Sequence, residues 1–294
     1  MKHSMEQGDK SGKTRFIKSL TVFFIVSLSF ISVFLLSLAA AEEGLKIGGT
    51  GGILGVMKEL GRAYEKTAPG VGVKVLPSLG SRGGVDAVSR GAIDIGLSVR
   101  PMKETLRKLD LSGLEFATSP FVLTTGKGNA VSGLTTEELL KIYWGETLTW
   151  PDGQRLRVVL RPASDSDTIL IKTLSAQMSQ AVDSALSRPG MLSALTDRDS
   201  LDAAEETPGA LALSTLTQIL TERRSVKILA LNGVKPSLQT LADRTYPLYK
   251  SFFIMTRRDP GEQIQRFLSF IQSPRGRKIL EASGVLPKAE RPWK

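Results

Sequence analysis

The chain has 294 residues, 41% of them hydrophobic, a formal net charge of +10, one histidine and no cysteine. This is ample for a large core in one or two domains. Without cysteine there are no disulfides and no thiolate metal sites. The single histidine, His3, lies at the extreme N-terminus, so Ser-His-Asp and Cys-His catalysis and imidazole metal ligation are excluded from the body of the chain.

Residues 1–20 are polar and basic, residues 21–38 are apolar apart from Ser and Thr, and Ala39-Ala40-Ala41 precedes Glu42-Glu43. The pattern predicts a secretory signal peptide cleaved after Ala41. The 18-residue apolar run is also near the length that spans a bilayer, so an uncleaved anchor is the alternative. Either way the body is expected outside the cytoplasm, in the periplasm or secreted. The leader carries five basic and two acidic residues, a contribution of +3, leaving about +7 for the rest. No basic run is interleaved with aromatics, which are 6% of residues, so the charge does not point to nucleic acid. A diffuse positive field attracts small anions.

Residues 45–47 predict a short strand leading into Gly48-Gly49-Thr50-Gly51-Gly52, and residues 53–66 an amphipathic helix with Leu54, Met57, Leu60, Gly61 and Tyr64 on one side. Thr50 is a hydroxyl donor at that helix start, or simply its cap. The loop lacks the Lys-Ser/Thr pair of a phosphate-binding P-loop. Residues 73–76 predict a second strand, followed by a small-residue loop (Ser78, Gly80, Ser81, Gly83, Gly84), a short helix at 85–90 and a strand at 93–97 ending at Ser98. Glycines let unpaired backbone N–H groups at a helix start close on a ligand, and serines add hydroxyls. That chemistry suits a small oxyanion, though such a loop is also an ordinary connection.

Residues 103–109 predict a charged surface helix, and residues 114–125 a long apolar strand with a proline inside, passing from one domain to another. Thr135 and Glu138 make a capping box for a helix ending near Trp144, and 149–153 is a turn. A strand at 156–160 ends at Arg161, and a Ser/Asp-rich loop leads into a helix at 169–180. Arg161 beside a Ser/Thr-rich helix start is a bidentate oxyanion ligand, or the partner of an acid. Strands follow at 209–214, 226–231 and 249–255, and helices at 216–220, 261–271 and 275–283, with Gly284 as C-cap. Strand–loop–helix alternation predicts an α/β fold with mostly parallel sheets, whose ligands sit at the carboxyl ends of strands.

The ordered blocks GSRGGVDAVSRGAIDIGLSVRPM, LTTEELLKIYWGETLTWPDGQRLRVVLRP, YPLYKSFFIMT and FLSFIQSPRGRKILEASGVLP together resemble the PstS-like phosphate-binding proteins, type II periplasmic substrate-binding subunits of ABC transporters. The resemblance covers the whole chain after the leader. It implies a two-lobed α/β fold with the ligand cleft between the lobes, one formed by 44–120 plus 249–294 and the other by 121–248. It implies capture of phosphate or a similar oxyanion by hinge closure, delivery to an ABC transporter permease in the inner membrane, a monomer, no cofactor and no catalysis. A sensor or regulatory module of the same fold is the alternative. The ligand set it implies is Thr50 and Gly51 in the first loop, Ser81, Arg82 and Gly83 in the second, Ser98 at the strand end, and Arg161, Ser166 and Thr168 in the third loop.

Two departures stand out. The family strand ends G-A-S-D, its Asp accepting the proton of a protonated phosphate; here Ser98 is followed by Val99 and Arg100. The third loop has one extra residue after Arg161, and Asp167 stands where the family has Gly. Asp165 or Asp167 replaces the missing acceptor, or caps the helix and faces away.

Overall fold

A computed structural model describes residues 44–101 and 110–288. The expected leader at 1–41 and the expected surface helix at 103–109 lie outside the described residues. Among the described residues no helix is long and apolar enough to cross a membrane.

One strand organises the rest. β4 (Leu111–Gly126) is buried without a break from Phe116 to Thr125, as a strand covered on both faces must be. Its first half pairs antiparallel with β10 (Tyr249–Arg257), from Leu111 opposite Arg257 to Pro120 opposite Tyr249. From Phe121 onward it pairs instead with β8 (Ala210–Thr215) and β9 (Val226–Leu231), both antiparallel. Pro120 stands at the handover, where one ladder stops and the next begins, so its missing N–H disrupts neither.

On the β10 side, β3 (Ile95–Ser98) pairs antiparallel with β10, and β1 (Leu45–Gly49) lies parallel between β3 and β2 (Val73–Val75). On the β8 side, β6 (Arg157–Leu160) runs parallel to β8 and to β7 (Leu192–Ser193), while β5 (Gly133–Leu134) runs parallel to β9. The short β11 (Leu286–Pro287) closes on β4. Each outer wing is thus parallel, as strand–helix alternation demands, and only the crossing strands break the pattern.

The apolar interior divides at the same handover. One cluster joins Leu45, Ile47, Leu60, Ile95, Phe116 and Phe252 with Phe267 and Leu280 of the C-terminal helices. A second joins Phe121 and Leu123 with Leu139, Trp150, Ile171, Leu213 and Tyr246. Within the second cluster Tyr246 donates its hydroxyl to the Phe121 carbonyl at 3.0 Å.

The helices follow their capping chemistry. α1 (Leu54–Glu65) buries Leu54, Met57, Leu60, Gly61 and Tyr64, the face expected from spacing. α2 (Gly80–Ser89) begins five residues before the expected 85, so the Gly/Ser segment is its first turn rather than a loop. The glycines there serve packing: a Cβ on Gly84 would lie 2.8 Å from the Gly49 Cα, so α2 rests directly on the β1 backbone. α3 (Thr136–Trp144) carries the anticipated Thr135–Glu138 capping box and ends at Gly145, φ +78°. The single helix expected at 169–180 is two, α4 (Ser166–Lys172) and α5 (Ala176–Ser187), because the Ser175 hydroxyl caps a new start at the Met178 N–H. α6 (Asp197–Glu206) was not anticipated, although Thr196 and Asp199 form a capping box. α7 (Leu216–Thr221), the short α8 (Leu238–Ala242), α9 (Glu262–Gln272) and α10 (Pro274–Ala282) complete the described helices.

Candidate functional site

Three chain segments end at one cavity of about 490 Å³. The first comes from β1. Gly49 has φ +141°, and a Cβ there would lie 2.1 Å from the Leu97 carbonyl, so only glycine lets the chain turn out of the sheet at this point. Thr50 follows, with its N–H on the Leu97 carbonyl at 3.0 Å and its side chain buried against the cavity, making no cap hydrogen bond. The second segment is the start of α2, which brings Ser78, Gly80, Ser81 and Arg82 to the wall. The Ser81 hydroxyl also accepts the Val99 N–H at 3.2 Å, which ties the helix start to the end of β3.

The third segment follows β6. Arg161 is 4% exposed yet lines the cavity with Pro162, Ser164, Asp165 and Ser166. Its guanidinium donates to the Ala194 carbonyl at 3.0 Å and to Asp165 Oδ2 at 2.9 Å, and its Nε is buried with no hydrogen-bond partner among the described residues. This fixes the fork and leaves it donor capacity. Arg100 reaches over from the end of β3 and donates to the Ser164 carbonyl at 2.6 Å, so the two core halves touch across the cavity.

Of the residues implied by resemblance, the structure brings Thr50, Ser81, Arg82, Arg161 and Ser166 to this cavity. The others are placed elsewhere. Gly51 lines an adjoining cavity of about 420 Å³ between α1, α6 and α7. Gly83 sits in α2 with its α-carbon facing Leu79. The Ser98 hydroxyl is turned onto its own strand end, donating to the Arg100 carbonyl at 2.9 Å and accepting the Arg100 N–H at 3.0 Å. The Thr168 hydroxyl is engaged by the Arg161 carbonyl at 3.0 Å. Both hydroxyls therefore shape the loops that carry Arg100 and Arg161.

Sequence reasoning missed Lys250 and Asp197. Lys250 lies in β10, 3% exposed, its ammonium pairing with Asp167, 3.5 Å from Asp197 Oδ1 and 4.9 Å from the Phe121 ring centroid. A lone lysine within the apolar stretch YKSFFIM was the available signal, because a buried lysine needs counter-charges. Burial pushes the Asp167 carboxyl up to about 6, against the pull of Lys250 and with a further push from Asp197 and Asp165. Burial alone would lower the Lys250 ammonium, but Asp167 and Asp197 outweigh it and hold it above the ordinary lysine value. At pH 7 the pair is ionised.

Asp165 also settles as the cap of α4, its Oδ1 accepting the Asp167 N–H at 2.8 Å. Asp197 opens α6 and lines both cavities. The main cavity is thus lined by hydroxyls, an anchored guanidinium, two further arginines, and the carboxylates of Asp165 and Asp197, of which Asp165 is taken up by Arg161 and the start of α4. This donor set suits a small oxyanion. Leu79 and Leu195 line it too, both exposed.

Comparison with known proteins matches residues 37–275 to the family described as the PBP superfamily domain. Phosphate-binding protein PstS 2 of Streptococcus agalactiae serotype V is 29% identical over 106 residues, a stretch that spans only 36% of each chain. Phosphate-binding protein PstS of Bacillus subtilis is 23% identical over 258 residues, 84% of this chain and 81% of that protein. A solved structure from Clostridium perfringens, described as a phosphate ABC transporter substrate-binding protein with bound phosphate, superposes with a TM-score of 0.71 at 19% identity, over 84% of this chain and 100% of its own.

Proposed function

The chain belongs to the PBP superfamily, and on that footing we propose that it is an extracytoplasmic binding protein that captures inorganic phosphate for an ABC importer. The observation that carries this reading is the convergence of buried Arg161 with the Thr50 and Ser81 side chains on one cavity, from segments far apart in sequence. An arginine held by Asp165 and a backbone carbonyl is pre-oriented, so little of its freedom is lost on binding an anion. The names of the relatives point the same way.

In this reading residues 44–120 with 249–294 form one lobe and residues 121–248 the other. β4 and β10 are the crossing strands about which the lobes hinge, and closure sequesters the anion before delivery to a membrane permease. Residues 1–41 direct export, the protein acts as a monomer, and binding proceeds without turnover.

The test is calorimetric titration of inorganic phosphate into protein that has been unfolded, washed and refolded to remove co-purified anion. Saturable 1:1 binding supports the reading, and absence of heat with phosphate, sulfate and molybdate refutes it.

A further inference from the structure

The cavity of about 420 Å³ beside the anion cavity has a charge pattern of its own. Gly51 and Gly55 put no side chain into it, and a Cβ on Gly55 would lie 2.0 Å from Thr221 Oγ1, so α7 rests on the α1 backbone at its edge. The two cavities share Ser78, Thr196 and Asp197 and meet along those residues. The Thr196 hydroxyl accepts the Asp199 N–H at 3.1 Å, which leaves its own proton to donate.

Each carboxylate around this second cavity is turned to a partner. Glu59 accepts the Ser283 hydroxyl at 2.7 Å, Glu222 accepts the Gln218 amide at 3.2 Å, and Asp197 lies 3.5 Å from the Lys250 ammonium. The cations are not so engaged. Lys58, Arg62 and Arg198 line the cavity, and among the described residues none of them makes a hydrogen bond or an ion pair. Lys58 and Arg62 stand at i and i+4 on α1, where like charges repel, and Arg198 brings a third charge from α6. An anion seated among them relieves that repulsion. Sites for organic ligands run to about 300–1,000 Å³, and each cavity alone is of that size, so a single tetrahedral oxyanion fills only part of the first.

We propose that the cleft takes a phosphoryl compound carrying a second anionic group, a diphosphate or a phosphorylated carboxylic acid, with its phosphoryl group at Arg161 and the second anion among Lys58, Arg62 and Arg198. The proposal rests on the reading of the main cavity as an oxyanion site, and inorganic phosphate then fills the first subsite alone. Thr196 stands at the junction and donates to the group that links the two anions. Asp197 stands there too, its charge offset by Lys250. α1 belongs to the first core cluster and α6 packs on β8. An anion held by cations of both helices therefore draws the two halves together.

The test is calorimetric titration of inorganic phosphate, methyl phosphate, diphosphate and phosphoglycolate into the stripped full chain at pH 7. Salt is held at roughly 0.15 M, where exposed charges more than about 8 Å apart are screened. Exposed ion pairs are individually weak, so the three cations together are expected to make diphosphate or phosphoglycolate bind about tenfold tighter than methyl phosphate. In Lys58→Gln combined with Arg62→Gln, and in Arg198→Gln, that advantage is expected to shrink to about threefold or less. The three side chains are exposed and glutamine is a good helix former, so the variants retain the fold. A gain confined to diphosphate or to phosphoglycolate supports the proposal and identifies the second anion as phosphate or carboxylate. If inorganic phosphate binds but neither extended ligand exceeds methyl phosphate, or if the variants keep the full advantage, the proposal is overturned and the oxyanion site stands. Binding of none of the four by the unaltered protein would overturn both.

Discussion

Replacing Lys250 by methionine removes one charge from a buried ionic cluster while keeping most of the apolar stem. Lys250 is 3% exposed and Asp167 is fully buried, with its Oδ2 already lacking a hydrogen-bond partner among the described residues. At an effective dielectric of about 20, opposite unit charges at the 3.5 Å separation of Lys250 and Asp197 attract by roughly 5 kcal/mol, and the closer Asp167 gains more. Much of that offsets the desolvation of the lysine itself. Stranding the remaining charge in such a cluster costs about 3–5 kcal/mol in total, a large share of the roughly 5–15 kcal/mol that holds a domain folded. The loss is pH-dependent. Asp167 titrates near 6 in the folded protein against 3.8 ordinarily, so its contribution to stability is full below about 3.8 and is lost as pH rises through about 6. Without Lys250 its folded value climbs further and more stability is lost on the way to neutral pH. The gap between the two proteins therefore widens from pH 5 to pH 8. Urea unfolding at both pH values measures it. Asp167→Asn combined with Lys250→Met removes both charges and is expected to recover most of the loss. A deficit below about 1 kcal/mol at pH 8, or the same deficit at pH 5 and pH 8, would refute the reasoning.

Arg161→Lys is expected to weaken phosphate binding at least about tenfold in calorimetry, because a compact ammonium has no planar fork of separated N–H groups to reach Asp165, the Ala194 carbonyl and a ligand on its different edges; unchanged affinity would remove Arg161 from the site. Gly84→Ala is expected to cost about 1–3 kcal/mol in thermal or urea unfolding, since its methyl would lie 2.8 Å from the Gly49 Cα and 3.2 Å from the Leu97 carbonyl. Gly128→Ala, which meets nothing within 4 Å, serves as the neutral control, and equal behaviour of the two would show that α2 can shift freely on β1.

The order of strands and helices was legible along most of the chain, because apolar periodicity and capping chemistry are local. Thr135 with Glu138 marked α3, and Gly284 marked the end of α10. The long apolar run with Pro120 inside it announced a strand that crosses between two parts of the sheet. Boundaries slipped where small residues carry little pattern. Gly80 to Gly84 read as a loop, yet their lack of side chains lets the helix start early and sit on β1. Arg161, Thr50 and Ser81 were found from their loops, since a helix start after a strand is a local signal. Ser98 and Thr168 have the same side-chain chemistry as Thr50 and Ser81, and no local pattern distinguishes a hydroxyl bound to its own turn from one at a cavity wall. Lys250 and Asp197, 53 residues apart in sequence, meet only when β10 and α6 are brought together. The sequence by itself determined which segments form strands, helices and turns, because hydrophobic spacing and caps act within a few residues. Only the tertiary structure decided which buried charges pair, Lys250 with Asp167 and Asp197 and Arg161 with Asp165, because such pairing depends on distances across the fold.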